Sequence, residues 1–466
     1  IDKRDDAVEK LKKAAVGGNI RSMEGFGEKS EADILHAIEE VKMTKNEKQR
    51  LLLIHAEEIA GRIIKHINIL PGIIKADALG SLRRRQATIG DIDIAVASYE
   101  SDEVIKHFLK FSEIDEVLAR GDKKVSVVLN NQIQVDLRVS EPEAYGSMVQ
   151  YSTGNKQHNV LLRTYALENG MSLSEYGIKY KGKLELFPDE ESFYNRLNLT
   201  WIPPEIRHGK SEIELAIKGK LPKLVTIDDI KGDMHTHTIA SDGLNTLAEM
   251  VNAAKMMGYQ YIGISDHSPS IQSRGYEEVV SIIEKQKKNI ESINEAQNDI
   301  KVLFGYEVNI LADATLSLPD EILSKLDYVV ASIHTSFNQE RDVVTGRLVK
   351  AAENPYVTII GHPSGRLINE REPCDINWGS VFEAVKKHNK ILEINCQPNR
   401  LDLVDDLVLE AVRLGIKLII NTDAHDTESL NFMKYGIDVA RRGFSERKNI
   451  INTLSYEDLL ENITNH

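Results

Sequence analysis

The pattern of apolar and polar positions changes along the chain. Residues 50–67 carry apolar side chains at intervals of three and four, which predicts a helix. Runs of alternating or apolar character then predict strands at 73–79, 89–97, 124–129 and 132–139. The last two runs flank Asn130-Asn131, so they are expected to pair as a hairpin.

From Lys231 onward, one pattern is repeated seven times. Each repeat contains a short, apolar, strand-like run, and successive runs are spaced by about 30 residues, the length of a strand, a helix and their loops. Seven such units predict a closed parallel barrel, in which chemistry occurs at the carboxyl ends of the strands. The runs end near His235, Asp266, Glu307, His334, His362, Asn395 and Asp423.

Length and composition narrow the class of protein. The 466 residues predict two or three compact domains. No apolar run approaches the roughly 18 residues of a membrane span, and no export signal is visible. Two cysteines, Cys374 and Cys396, are too few for a disulfide framework and indicate a reducing, cytoplasmic location.

The net charge of −14 at first argues against a nucleic-acid partner, but this charge is unevenly distributed. Residues 1–230 have a net charge of −3, and residues 231–466 have a net charge of −11. The first half is therefore nearly neutral with local basic clusters, and the acidic second half is compatible with a metal site.

The strand ends of the second half carry an unusual set of metal-binding residue types. A lone histidine on a strand is usually a core or surface residue, but six of the eight histidines after residue 230 lie at these ends. Histidine and carboxylate together favour Zn²⁺, Mn²⁺ or Fe²⁺, and nine ligands are enough for two or three ions. The candidate ligands are His235, His237, Asp242, His267, Glu307, His334, His362, Asp423 and His425.

These residues resemble the ligands of the PHP (polymerase and histidinol phosphatase) family of metal-dependent phosphoesterases, and the resemblance covers about residues 231–466. It implies a (β/α)₇ barrel with a three-metal site. The resemblance assigns His235, His237, Glu307 and Asp423 to the first metal. It assigns Glu307, His334 and His362 to the second metal, and Asp242, His267 and His425 to the third.

A second constellation lies in the first half. Gly80-Ser81 follows a predicted strand and can open a helix whose N–H groups face a phosphate. Asp91 and Asp93 have strand spacing, so their carboxylates share one face, and Asp136 lies on another predicted strand. Three converging carboxylates can hold two Mg²⁺ or Mn²⁺ ions, which activate a 3′-hydroxyl and a triphosphate.

This constellation resembles the active site of family X DNA polymerases, and Tyr151-Ser152-Thr153-Gly154 resembles a Tyr-Phe-Thr-Gly segment of that family. The resemblance implies catalytic roles for Asp91, Asp93 and Asp136. It implies triphosphate contacts for Gly80, Ser81, Arg84 and Gly90, and nucleoside contacts for Tyr151, Gly154 and Asn159. It implies DNA contacts for Arg163, for Glu175 in the thumb, and for Gly25 and Gly27 in a helix-hairpin-helix.

The expected fold is an α/β architecture with several domains. The sequence departs from the family X pattern at two points. Ser152 replaces the usual Phe, and the small N-terminal domain with the 5′-phosphate pocket is expected to be absent before Ile1. The predicted domains are a helix-hairpin-helix at 1–50, a palm at 51–140, a thumb at 141–204, a linker at 205–230 and the barrel at 231–466.

The sequence therefore predicts a gap-filling repair DNA polymerase that uses dNTPs and gapped or primer-template DNA, joined to a 3′–5′ exonuclease. One alternative is a small-molecule phosphatase of the histidinol-phosphate phosphatase type, and another is a non-enzymatic DNA end-binding protein. The helix-hairpin-helix and the complete aspartate triad argue against the phosphatase, and the intact ligand sets argue against the end-binding protein. Candidate contacts to the DNA backbone are Lys42, Lys45, Lys48, Arg50, Arg83, Arg85, Lys123 and Lys124.

Overall fold

The computed structural model describes Ala15 and residues 50–463. The chain divides into two compact units, residues 1–51 and residues 52–466. The predicted helix-hairpin-helix with Gly25 and Gly27, together with Lys42, Lys45 and Lys48, lies outside the described residues. Among the helices that are described, none has the length and apolar character needed to cross a membrane.

The region predicted as the palm contains a mixed five-stranded sheet in the order β2-β4-β7-β6-β5. Strand β4 runs parallel to β7, and the other neighbours are antiparallel. Helix α1 buries Leu53, Ala56 and Ile63, the apolar stripe that predicted it. The elements are β1 Leu51–Leu52, α1 Leu53–Ile67, β2 Lys75–Ala78, α2 Gly80–Arg83, β3 Thr88–Ile89, β4 Asp91–Ala97, α3 Ser101–Phe108, β5 Ile114–Arg120, β6 Lys124–Leu129 and β7 Gln134–Ser140.

The predicted hairpin around Asn130-Asn131 is confirmed, because β6 and β7 pair antiparallel across it. The sequence pattern missed β5. Six of the seven residues of this edge strand are exposed, so it has no buried face to produce an alternating pattern.

The next region, from residue 142, forms a small helical and three-stranded unit with the strand order β10-β9-β8. Asn155 caps α5 through its side-chain oxygen, which accepts a 2.8 Å hydrogen bond from the N–H of His158. The elements are a 3₁₀ turn at Pro142–Ala144, α4 Tyr145–Thr153, α5 Lys156–Glu168, β8 Met171–Ser174, β9 Gly177–Tyr180, β10 Lys183–Glu185 and α6 Glu190–Arg196.

The segment predicted as a linker, residues 205–230, is extensively packed. It contains α7 Glu212–Ile217 and 3₁₀ turns at Pro204–Ile206 and Ile227–Asp229. Its apolar side chains share one hydrophobic core with Phe193 of α6 and with Leu409 and Phe444 from the second half of the chain. This segment therefore fastens the two halves together.

Seven parallel strands in the order β11 to β17 form the second half, as the repeated pattern predicted. The first and last strands meet through a parallel bridge between Thr236 and Ala424, where His237 N–H donates to the Ala424 carbonyl at 2.8 Å. Side chains from all seven units, including Met234, Leu303 and Ile359, fill the interior.

The strands are β11 Gly232–Asp233, β12 Tyr261–Ile264, β13 Lys301–Asn309, β14 Tyr328–Ser332, β15 Ile359–Ile360, β16 Ile391–Asn395 and β17 Lys417–Asn421. The helices are α8 Leu247–Met256, α9 Ile271–Arg274, α10 Tyr276–Ala296, α11 Asp320–Leu323, α12 Arg341–Glu353, α13 Trp378–Lys387, α14 Asp405–Leu414, α15 Met433–Arg442 and α16 Tyr456–Ile463. Short 3₁₀ turns lie at Ser429–Phe432, Arg447–Asn449 and Ile451–Thr453.

Two candidate active sites

The first candidate site lies on the two central parallel strands of the five-stranded sheet. Asp91 and Asp93 are alternate residues of β4, and the register places Asp93 directly beside Asp136 of β7. Because alternate side chains of a strand share one face, the three carboxylates lie on the same side of the sheet. The three aspartates therefore lie close together, as the sequence predicted.

Gly80 allows α2 to begin against this carboxylate cluster. Its φ of +57° is in the left-handed region, and a Cβ at this position would lie only 2.5 Å from Oδ2 of Asp93. The Leu79 N–H donates to the Asp93 carbonyl at 2.8 Å, which fixes the turn on β4. Ser81 follows in the first turn of α2, and Gly90 is half-buried immediately before β4.

The carboxylates of this site repel one another. Burial and the negative charges of Asp91 and Asp136 raise the pKa of Asp93 to about 6. Burial also acts to raise the pKa of Asp136, but hydrogen bonds, chiefly from Lys124, outweigh it and lower this pKa. The Lys124 ammonium lies 2.7 Å from Oδ2 of Asp136.

Arg84 and Gly154, both predicted at the nucleotide, lie side by side. The Arg84 guanidinium donates to the Thr153 carbonyl, and a Cβ at Gly154 would lie 3.3 Å from Nη1 of Arg84. Burial and the charges of Arg442 and Arg207 lower the pKa of Arg84 to about 10, still far above neutrality. Arg84 therefore stays cationic beside the carboxylate cluster.

The predicted nucleoside residues form a connected group at the junction of α4 and α5. Asn159 donates to the Tyr151 carbonyl at 2.7 Å and accepts a 2.9 Å hydrogen bond from Gln150. Arg163 is exposed on α5. Glu175, between β8 and β9, lies 3.6 Å from the guanidinium of Arg138 on β7.

Four cations predicted to contact the DNA backbone have partners within the protein. Lys124 pairs with Asp136 as described above, and the Lys123 ammonium lies 3.0 Å from Glu141. Arg83 donates to Thr153 Oγ1 and to Glu190, each at 2.6 Å. Arg85 pairs with Glu57 and lies 2.7 Å from Asp438. Each guanidinium therefore neutralises carboxylates of the chain itself, and a contact of Arg83 or Arg85 with DNA stays a prediction.

The second candidate site lies at the carboxyl ends of the barrel strands and begins with four buried residues. Nε2 of His237 is 3.1 Å from Oδ1 of Asp423, and Nε2 of His235 is 3.6 Å from the same oxygen. Oε2 of Glu307 lies 3.4 Å from His235 Nε2 and 3.7 Å from His237 Nε2. These four residues are the set assigned to the first metal.

The other predicted ligands surround this group. Oε1 of Glu307 lies 2.9 Å from Nε2 of His362 and 3.1 Å from Nε2 of His334. Oδ2 of Asp242 lies 3.2 Å from Nε2 of His425 and 3.4 Å from Nε2 of His267. Each of these sets meets around one carboxylate, as the resemblance implied.

The three sets are joined more closely than the assignment suggested. Nδ1 of His267, predicted only for the third metal, also lies 3.1 Å from Oε2 of Glu307. Nδ1 of His237 lies 3.7 Å from Oδ1 of Asp242. The nine side chains therefore form one continuous cluster.

Both the unpaired nitrogens and the electrostatics of the cluster fit bound metal ions. Nε2 of His235 and both ring nitrogens of His237 are buried and have no hydrogen-bond partner among the described residues. Burial acts to lower the pKa of His235, but Glu393, Asp423 and Glu307 outweigh it and raise the pKa well above its usual value. The site thus presents buried nitrogen donors beside compensating carboxylates, a donor set suited to transition metals.

The sequence reasoning missed Glu393 of β16. Its Oε1 lies 2.7 Å from Nδ1 of His235, and its Oε2 accepts a 2.7 Å hydrogen bond from the N–H of His362. Glu393 is fully buried and orients the imidazole ring of His235 through the hydrogen bond to Nδ1. The signal for it was a carboxylate inside the apolar run Ile391–Asn395.

A cavity of about 390 Å³ opens beside the cluster. Asp242 and His267 form one wall, and Arg274, Gln286 and Tyr306 line the remainder. Asp266 does not face the cavity as a ligand. It accepts hydrogen bonds from Thr238 N–H and Ser241 Oγ, both at 2.7 Å, and so holds the loop that carries Asp242.

Comparison with known proteins finds matches in both halves of the chain. The family model of the DNA polymerase beta thumb matches residues 148–208, and that of the PHP domain matches residues 233–397. The chain is 38% identical over 457 residues to the DNA polymerase/3′-5′ exonuclease PolX of Bacillus subtilis. This alignment covers 97% of the chain and 79% of the relative.

Two further relatives each match less than half of the chain. A probable phosphatase of Caldanaerobacter subterraneus subsp. tengcongensis is 34% identical over 204 residues, which cover 41% of this chain and 75% of the relative. A probable phosphatase of Thermoanaerobacter sp. is 31% identical over 232 residues, with 47% and 89% covered.

Proposed function

The chain belongs to the polymerase X family, in which a family X DNA polymerase is joined to a PHP domain, and we propose which residues perform each of its two reactions. It is a DNA polymerase and a 3′–5′ exonuclease. Both activities depend on metal ions. The geometry of the two sites supports the residue roles that we propose.

We assign nucleotide addition to the site on β4 and β7. Asp91, Asp93 and Asp136 would hold two Mg²⁺ or Mn²⁺ ions, which when bound supply charge to activate the 3′-hydroxyl and stabilise the triphosphate. Gly80 and Ser81 present the first N–H groups of α2 to the phosphates. Arg84, cationic beside the carboxylates, completes the triphosphate contact, with Gly90 at the start of β4.

We assign base and sugar contacts to the α4–α5 junction. Tyr151 is partly exposed there, and Asn159 fixes its backbone through the carbonyl hydrogen bond. Gly154 leaves space beside Arg84. The exposed Arg163 and the hairpin residue Glu175 are assigned to template and primer DNA, as are Gly25 and Gly27, which lie outside the described residues.

We assign removal of 3′ nucleotides to the barrel. Its nine ligands would hold two or three Mn²⁺, Zn²⁺ or Fe²⁺ ions, which when bound supply a nucleophilic hydroxide near neutral pH. Glu393 orients the ring of His235 and so sets the direction of its free nitrogen. The cavity beside Asp242 is large enough for a terminal nucleotide, and Arg274 on its wall offers a cation to the phosphate.

The substrates proposed are dNTPs and gapped or primer-template DNA, in short-gap repair. We place this reaction in the cytoplasm, where the two cysteines would stay reduced; both are buried and free. A small-molecule phosphatase explains only the barrel, because the phosphatase relatives match less than half of the chain. A non-enzymatic DNA end-binding protein does not require intact ligand sets.

The observation that carries this proposal is the coexistence of two complete metal-ligand sets in separate parts of one chain. The test is a primer-extension assay with a labelled 3′-recessed primer. Extension with dNTPs and shortening without them are the expected results. Shortening with no extension under any metal would contradict the polymerase assignment, and extension with no shortening would contradict the barrel assignment.

A further inference from the structure

Helix α15 of the barrel has one face directed at the polymerase region. Tyr435, Asp438 and Arg442 recur at intervals of three and four residues, so they lie on the same side of the helix. The Tyr435 hydroxyl donates to Glu57 of α1 at 2.9 Å. Asp438 lies 2.7 Å from Arg85 in the loop after α2. The whole stripe therefore contacts the palm.

The opposite face of α15 packs on the barrel strands that reach the metal cluster. A Cβ at Gly436 would collide with Sγ of Cys396 and with the side chain of Ile420. Cys396 directly follows β16, and Ile420 belongs to β17. Helix α15 is thus packed tightly against the barrel, so the side chains on its other face have a rigid support.

The loop after α2 is held in an unusual backbone conformation. Arg85 has a φ of +58°, a left-handed conformation that side chains other than glycine rarely adopt. Its guanidinium is clamped between Glu57 and Asp438. A residue keeps such a conformation when its surroundings determine it, and one of the two surrounding carboxylates belongs to α15.

Arg442 contacts the same loop one residue earlier. Its Nη1 donates to the carbonyl of Arg84 at 3.0 Å, and its Nη2 pairs with Asp405. The Arg442 side chain is only 7% exposed, so this geometry is well defined. Arg84 is the residue assigned above to the triphosphate, and its main chain is therefore held by the last turn of a barrel helix.

We propose that Arg442 is a positioning residue of the polymerase reaction: it fixes the Arg84 backbone so that the Arg84 guanidinium meets the incoming triphosphate. The proposal rests on the assignment of Arg84 to the triphosphate. It makes the barrel a structural part of the polymerase site, in addition to its own chemistry. The expected signature is weaker dNTP binding with little change in the rate of the bound complex.

The test is Arg442→Met in the full chain, assayed for the KM for dNTP, for kcat and for exonuclease rate. We expect KM to rise about tenfold, the effect of losing one buried charged hydrogen bond. We expect kcat and exonuclease rate to stay within about twofold. Arg442→Lys, which keeps the charge and a donor, should recover part of the loss.

The matched control is Arg441→Met, one residue earlier on α15. Arg441 is also an arginine tied to another part of the chain, but its partners are Glu205 and the Val225 carbonyl in the 205–230 segment. It should leave KM for dNTP unchanged. An equal rise in KM for Arg441→Met would overturn the proposal, because the effect would then reflect a general loosening of the helix.

The second arm combines Arg442→Met with Arg84→Met. If Arg442 acts through Arg84, the double variant should have the KM of Arg84→Met alone. Independent, multiplying effects would overturn the proposal, and so would a wild-type KM for Arg442→Met. A wild-type KM for Arg84→Met would instead reject the role of Arg84 proposed above. If Arg442→Met does not fold, as circular dichroism would reveal, the same comparison is made with Arg442→Gln, which removes the charged donor, and an unchanged KM there overturns the proposal.

Discussion

The two candidate metal sites differ in the charges of the side chains that form them. The site on β4 and β7 collects three carboxylates on one face, and burial together with the negative charges of Asp91 and Asp136 raises the pKa of Asp93 to about 6. The barrel site mixes imidazoles with carboxylates. There burial acts to raise the pKa of Glu307, but His235 and His334 outweigh it and hold this pKa well below its usual range.

This difference indicates how tightly each site would hold its metal ions. The carboxylates on β4 and β7 repel one another unless cations are bound between them. Asp91, at the edge of this cluster, is exposed to solvent. Hard, exchangeable ions that arrive with a triphosphate suit it. The barrel ligands are largely neutralised by one another, and six of the nine supply nitrogen. Such a site is suited to retaining ions between turnovers.

The largest effect should come from emptying the barrel site. His235→Ala with His237→Ala removes two buried ligands of one group, so exonuclease activity should fall about a thousandfold or more. Polymerisation should continue, because its carboxylates lie on other strands. His388→Ala, at the end of α13, is the matched control. A folded, metal-depleted double variant that still shortens primers would refute the assignment.

The reciprocal change concerns the palm. Asp91→Ala with Asp93→Ala should reduce nucleotide addition about a thousandfold, because metal-held charge at the reacting phosphate is lost. Primer shortening without dNTPs should persist. Asp115→Ala with Glu116→Ala changes two exposed carboxylates of β5 and should leave extension intact. Near-normal extension by the double aspartate variant would exclude these residues from catalysis.

A smaller effect is expected from Glu393→Gln. The substitution preserves shape but removes the charge behind His235, so barrel metal affinity or exonuclease rate should fall about 10- to 100-fold. Metal content after gel filtration and single-turnover shortening measure the two quantities. Glu383→Gln, on the exposed side of α13, is the control. Unchanged metal content and rate would show that Glu393 does not orient the ring.

The smallest effect concerns pH. A proton competes with a cation for Asp93, whose pKa is raised to about 6. The apparent affinity for Mg²⁺ in primer extension should therefore fall as pH drops below 6, by about tenfold at pH 5. Extension is measured at subsaturating Mg²⁺ in the His235→Ala/His237→Ala background. An Mg²⁺ requirement that is the same at pH 5 and pH 7 would contradict the like-charge description of this site.

The sequence was most informative for the barrel ligands. Each lies at or near a strand end, and parallel strands bring these ends to one rim, so spacing along the chain translated directly into proximity. The same logic succeeded for Asp91 and Asp93, since alternate strand positions share a face. The sequence also predicted Asp136, because the alternation of apolar and polar residues around it indicated a strand.

Other features depended on contacts that no local pattern encodes. Arg85 looked like a surface cation for DNA, yet its partner Asp438 is 353 residues away in the chain. Glu393 has apolar neighbours in the sequence, and its role becomes visible only from its hydrogen bond to the ring of His235. Residues 205–230 follow Pro203-Pro204 and have the charged composition of a connector. Their burial depends on apolar surfaces from both halves of the chain.

The burial of residues 205–230 has a consequence for how DNA passes between the two reactions. Because Ile206, Ile213 and Leu224 share one core with Phe193 and Phe444, this segment has no free length with which to act as a hinge. The thumb and the barrel should therefore travel as one body, and a mispaired primer terminus has to unwind and migrate across a fixed distance to be trimmed. Transfer of a primer end from one site to the other would then be limited by the fraying of that end.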